Sequence, residues 1–278
     1  MKRVFLILPL IGLLAGCGGG SSTPTITVGP ANQWKLVDKS PASAVAPGEP
    51  ATVGFTVQQP SGQPLTAYKT GPGPHTGVHM IIVSDDLSTI IHRHPPVQPD
   101  GHVSEQVDLA KPGKYTVLAD IYPKTGQIPN FQLRYDIDAK GKQTSQPLPP
   151  FKATQMVDGY RVTMQGKPNL RVARPAILKI AVTKPNGKPA PFQVWYGALA
   201  HAVFFHKGSL AYFHTHVCGP ETPGCTSILG QPNLKATSTK PGEIRAGILL
   251  PGSGTWVLFL QFKTDGKVLT VPYTLQVR

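Results

Sequence analysis

Residues 79–94 read HMIIVSDDLSTIIHRH, and residues 201–216 read HAVFFHKGSLAYFHTH. Both are His-x12-His-x-His, 122 positions apart. Each is an apolar run, a polar or glycine-containing break and a second apolar run, the pattern of a β-hairpin. A two-residue turn at Asp85-Asp86 predicts His79 opposite His92, with Gly77 opposite His94. The same register puts a turn at Lys207-Gly208 and His201 opposite His214.

The likeness extends outward from these hairpins. GFTVQQPSGQPLTAY (54–68) parallels KIAVTKPNGKPAPFQ (179–193), and GHVSEQVDLAKPGKYTVLADIY (101–122) parallels GEIRAGILLPGSGTWVLFLQF (242–262). Trp34 to Val37 parallels Tyr160 to Thr163, and FQLRYDID parallels TVPYTLQV. The chain therefore repeats one module, over residues 31–140 and 153–278, joined by the proline-rich linker 141–152. Each module offers about seven short strands with turn signals between them, which predicts an all-β chain of two tandem antiparallel β-sandwiches. Thirty prolines, 29 glycines and only 15% charged residues disfavour long helices. The pattern leaves immunoglobulin-like and cupredoxin-like architectures both open.

The repeat offset grows from 122 at the histidines to 141 at Gly101 and Gly242, so the second copy carries 19 extra residues after His216. That insertion holds Cys218 and Cys225, expected as a disulfide that lowers the cost of ordering a long loop. The alternative is that Cys218, two residues from His216, is a thiolate ligand to a soft metal.

The N-terminus sets the compartment. Met1-Lys2-Arg3 is a basic head, and Val4 to Leu14 is a short apolar stretch. It ends in Leu14-Ala15-Gly16-Cys17, as a signal peptide over residues 1–16 does. This ending resembles a bacterial lipobox, which implies lipidation of Cys17 and a flexible tether over residues 17–30. The expected location is the cell envelope, lipid-anchored and facing the periplasm or the exterior. No acidic residue stands at Gly18, which favours the outer membrane where a cell has one. The net charge of +13 falls to +11 once Lys2 and Arg3 leave. Its lysines and arginines are scattered without aromatic interleaving, which argues against nucleic acid as a partner. The expected partners are the membrane, through the anchor, and an envelope protein or metal donor.

Six of the nine histidines are the repeated trios His79, His92, His94 and His201, His214, His216. Residues two apart on a strand share a face, and opposed residues on a neighbouring strand share it too. Each trio is thus expected to converge into a three-histidine site for a copper or zinc ion. Neutral imidazole is the ligand form, so binding should weaken towards pH 6. Whether the modules keep separate sites or share one is open. His75 and His102 are weaker candidate ligands, and His206 is expected at the surface. Asp120, which aligns with Gln261, is a candidate to orient an imidazole, as is Gln261 itself. The four methionines do not cluster. The competing reading is a structural or adhesive envelope module whose histidines are incidental. No general base or catalytic triad is legible, and an enzyme is not expected.

The run GVHMIIVSDDLSTIIHRHPP followed by DGHVSEQVDLAKPGKYTVLADIYP resembles a group of bacterial secreted proteins and lipoproteins with YtkA-like or cupredoxin-like domains. In these a strand, an Asp-Leu turn and His-x-His-Pro precede a Pro-Gly-x-Tyr strand. The resemblance covers residues 50–138 and 176–278 and implies a link to heavy-metal handling. His92, His94 and Pro95 fit it, whereas Val217 replaces the proline in the second copy.

Overall fold

A computed structural model describes residues 33–70, 77–124, 130–144, 146–220, 222 and 234–278. Every strand pairing between its fifteen strands is antiparallel. The first sandwich sets the sheet β1 (Lys35–Ser40), β2 (Pro50–Gln58), β5 (His102–Asp108) against a four-stranded sheet. That second sheet runs β4 (Ile90–Arg93), β3 (Val78–Ser84), β6 (Gly113–Ile121), β7 (Phe131–Ala139). Val53, Phe55, Met80, Ile82, Tyr115 and Val117 fill the space between them.

The second sandwich repeats this plan with one added strand. One sheet runs β13 (Glu243–Ile248), β10 (Ala176–Thr183), β9 (Tyr160–Met164), β8 (Thr154–Val157). The other runs β12 (Tyr212–Val217), β11 (Ala200–His206), β14 (Gly254–Thr264), β15 (Lys267–Val277). Ile180, Phe204, Trp256, Leu258 and Tyr273 lie in its core.

The strand order is immunoglobulin-like, which settles the choice the sequence leaves open. At the corner leading into β6, the Tyr115 hydroxyl donates to the Lys111 carbonyl at 2.8 Å. Trp256 Nε1 donates to the Gly252 carbonyl at 3.0 Å at the matching corner of the second copy. This is the tyrosine-corner device of immunoglobulin-like sandwiches, with tryptophan substituted in one repeat. Among the described residues no helix is long and apolar enough to cross a membrane.

A sandwich strand in water should alternate apolar and polar residues. β3 is buried on both faces along its whole length. Val78, Met80 and Ile82 enter the first core, while Ile81 and Val83 point the other way and meet the second sandwich. There Ile81, Val83, Leu87 and Leu118 pack with Val203, Phe205, Val257 and Phe259. The sheet of β4, β3, β6 and β7 and the sheet of β12, β11, β14 and β15 therefore lie face to face, and the described residues form three apolar layers instead of two. Leu148, in the expected linker, packs against the middle layer and Phe151 against the second core. At the outer sheet edge β7 shows the expected alternation, with Gln132, Arg134, Asp136 and Asp138 turned to solvent.

Candidate metal centre

Both hairpins differ from the expected register by two residues. The ladder pairs Ile81 with His92 and Met80 with Arg93, so one step further His79 meets His94. In the second copy His201 pairs with His216. The cause is the turn. Residues 85–88 form a four-residue loop, closed by a bond from the Ser84 amide to the Thr89 carbonyl, with Leu87 at φ +56°. Residues 207–210 make a loop of the same length, with Gly208 and Leu210 at positive φ. A shift of two preserves the face of every side chain. His79, His92 and His94 still converge, while Gly77 loses its expected place opposite His94.

The larger difference is that the two trios are not separate. Both hairpins present their histidines to the layer between the sandwiches, and all six rings meet there. Among the described residues, three groups have ligand nitrogens all within 4.8 Å of one another: His79, His92, His94; His79, His214, His216; and His92, His201, His214. The expected trio His201, His214, His216 is not among them. His79, His92 and His214 form an inner triangle, with ring centroids 5.2–5.8 Å apart. His94, His201 and His216 each cap one edge of it. Any two of the three groups share a residue, so the cluster offers one full triad at a time.

Hydrogen bonds orient the rings for coordination. The Gln261 amide nitrogen donates to Thr270 Oγ1 at 3.0 Å, which leaves its carbonyl oxygen facing His92 Nδ1 at 3.1 Å. His92 therefore donates from Nδ1 and keeps a lone pair on Nε2. That Nε2 stands 3.1 Å from Nε2 of His94. His201 donates from Nε2 to the Trp195 carbonyl at 2.9 Å, and its Nδ1 stands 3.2 Å from Nε2 of His214. Two imidazole nitrogens on one tetrahedral zinc, at about 2.0–2.1 Å each, lie about 3.3 Å apart. Both nitrogen pairs are close to that spacing, and each contains a ring whose far nitrogen is anchored to a carbonyl.

Among the described residues, one carboxylate bonds to the cluster. Asp120 lies opposite His79 across the β3–β6 ladder, its Oδ2 3.5 Å from His79 Nδ1. Oδ1 accepts from Asn130 and Gln132, and Oδ2 from the hydroxyls of Tyr122 and Tyr212. Burial alone would raise its pKa. The bonds from His79, Gln132 and Asn130 outweigh that and hold Asp120 below the ordinary carboxylate range. Burial favours the neutral form of three of the rings. His92, His94 and His214 are all pushed well below the usual histidine range, first by burial and then by neighbouring rings.

Aromatic residues close the site. His94 is stacked between His79 and Tyr196, with centroids 4.2 and 4.0 Å away. The Trp195 ring meets His92 and His201 edge-on at 5.5 and 5.0 Å. His79 and His201 are fully buried, His92 is 1% exposed and His216 5%.

The other sequence candidates fall elsewhere. His102 bonds Thr56 Oγ1 on the sheet turned away from the cluster. His206 bonds Ser209 and the Ser253 carbonyl beside the turn. Cys218 stands in a disulfide, which removes the thiolate-ligand alternative. Cys17, His75 and Cys225 lie outside the described residues. Sequence reasoning missed Tyr122, Trp195, Tyr196 and Tyr212, and placed Gln261 without seeing that it serves the histidine of the other repeat. The available signal was the outward row Ile81, Val83, Val203, Phe205, which is apolar where a wet face should be polar.

Residues 155–278 match a domain of unknown function, DUF8832. No curated protein matches the chain in sequence. Among solved structures, a chimeric titin Z1Z2 tandem carrying a fibronectin peptide is 13% identical, covering 88% of this chain and 100% of its own, with a TM-score of 0.22. Invasin, a bacterial integrin-binding protein, is 16% identical over 88% of this chain and 38% of its own, at 0.23. A Salmonella alpha-2-macroglobulin mutant is 13% identical over 88% and 14%, at 0.24.

Proposed function

We propose that the chain is an exported, lipid-anchored envelope protein that binds one copper or zinc ion between its two sandwiches and is not an enzyme. The observation that carries this reading is the convergence of six imidazoles, three from each repeat, with nitrogens already at metal-sharing distances. Burying that many imidazoles in hydrogen bonds to one another is a poor use of polar side chains unless a cation joins them. An all-nitrogen donor set suits zinc and copper and disfavours calcium or magnesium, which take oxygen ligands. Asp120 supplies one negative charge close to the ion, and Gln261 and the Trp195 carbonyl fix ligand tautomers. The lipobox-like ending at Cys17 supports the anchor, and the envelope is where a metal donor or acceptor would meet the protein.

Elemental analysis tests this directly on the chain from Gly18 onward, purified without a histidine tag and exposed to Zn(II) or Cu(II). Bound metal that survives gel filtration is the expected result. A metal-free protein after both treatments would leave a structural or adhesive envelope module instead. A finer expectation concerns Gln261. Gln261→Leu frees the His92 tautomer and should weaken binding by about 10–100-fold, as loss of an outer hydrogen-bond partner does. Chelator competition reads the change, and unaltered affinity would remove Gln261 from the site.

A further inference from the structure

The layer between the sandwiches has two ends. At the far end from the turns lies the histidine cluster. Towards the turns lies an apolar contact built from equivalent positions of the two repeats. Ile81 and Val203 correspond, as do Val83 and Phe205, and Leu118 and Phe259. The contact is thus self-complementary, like a two-fold dimer interface made within one chain. None of these six side chains belongs to the interior core of either sandwich. Each sandwich can therefore keep its own core whether or not the two faces meet.

The metal ligands do not have that independence. His79 needs His214 and His216 from across the layer for one triad, and His92 needs His201 and His214 for another. The third triad, His79, His92, His94, lies within the first repeat. Even there the His92 tautomer is set by Gln261 of the second sandwich. On the same layer the Tyr212 hydroxyl reaches Asp120 at 3.4 Å. An ion that finds two of its three triads, and the Gln261 bond that orients the third, only when the faces are together stabilises the docked state, and docking raises its affinity by the same factor. The connector over residues 141–152 can extend to about 40 Å, enough to let the faces separate.

We propose that the bound ion is a clasp: metal binding and docking of the two sandwiches form one coupled equilibrium, and losing the ion frees the faces to part. This inference rests on the metal-binding reading above. The chain from Gly18 onward is compared with its Phe205→Asp and Ile81→Asp variants, each of which puts a charge into the apolar end while keeping all six histidines. Affinity is read by chelator competition with whichever of Zn(II) or Cu(II) the wild type binds more tightly. Compactness is read by small-angle X-ray scattering with and without that ion. Expected are a 100-fold or greater loss of affinity in both variants and expansion of the metal-free variants. A wild type that binds neither ion overturns the metal reading and the clasp together. Variants that expand yet bind as tightly as wild type overturn the clasp and leave the metal reading standing. Should a variant stay compact or lose its own cores, hydrogen exchange on the wild type decides. Slower exchange across β3 and β11 on adding metal supports the clasp, and unchanged exchange overturns it.

Discussion

His79→Ala combined with His92→Ala is expected to abolish tight metal binding, whereas His94→Ala combined with His201→Ala leaves it measurable. The difference follows from how the triads overlap. His79 and His92 between them belong to all three groups, so removing both leaves no complete triad. Removing His94 and His201 breaks two groups and spares His79, His214, His216. Structural zinc sites bind with about 10–16 kcal/mol shared among their ligands, so taking at least one ligand from every triad should cost on the order of a thousandfold. The spared triad should hold affinity to within about a hundredfold of wild type. Two independent sites would give another outcome: the His79/His92 variant would retain a full-strength site at His201, His214 and His216. Chelator competition on both double variants separates the cases, and equal losses in the two would contradict the overlapping arrangement.

The metal-free protein is expected to lose about 4 kcal/mol of folding or docking stability between pH 7.5 and 5.5. His92, His94 and His214 all have depressed pKa values in the folded chain. Unfolded, each titrates near 6.5. Above that value both states are neutral and nothing is lost. Below it the unfolded chain takes up protons that the folded chain refuses, so stability falls with pH, by about 1.4 kcal/mol per unit for each ring. The rings face one another, the ionised Asp120 and the hydroxyls of Tyr122 and Tyr212, and burial outweighs that single carboxylate. Urea midpoints for the apoprotein at the two pH values, compared with a His92→Gln/His94→Gln/His214→Gln variant, measure the effect. The variant should lose much less over the same interval. Equal losses would place the pH dependence elsewhere.

The repeat, the sandwiches and the common face of each trio were legible because they depend on local periodicity. A hairpin keeps its faces under a two-residue shift, so the right histidines converge even from the wrong register. The register itself was not legible. Asp85-Asp86 reads as a two-residue turn, but the chain instead closes a four-residue loop through Leu87 at positive φ, which no residue type announces. The merging of the two trios was beyond local pattern altogether, since it depends on which surface a finished sandwich buries. Its trace was still present. VHMIIVS and AHAVFFH lack the polar alternation that FQLRYDIDA keeps, because β3 and β11 are covered on both sides and β7 is not. The partnership of His92 with Gln261 crosses 169 positions and both modules, so spacing could not have exposed it.

Metal stoichiometry tests the shared site most directly. The chain from Gly18 onward is titrated with Zn(II), and separately with Cu(II), against a chromogenic chelator of micromolar affinity. One cluster with overlapping triads gives an endpoint at one ion per chain, with ligands drawn from both repeats. An endpoint at two equal, tightly held ions would mean that each repeat keeps its own three-histidine site, and would contradict the shared centre.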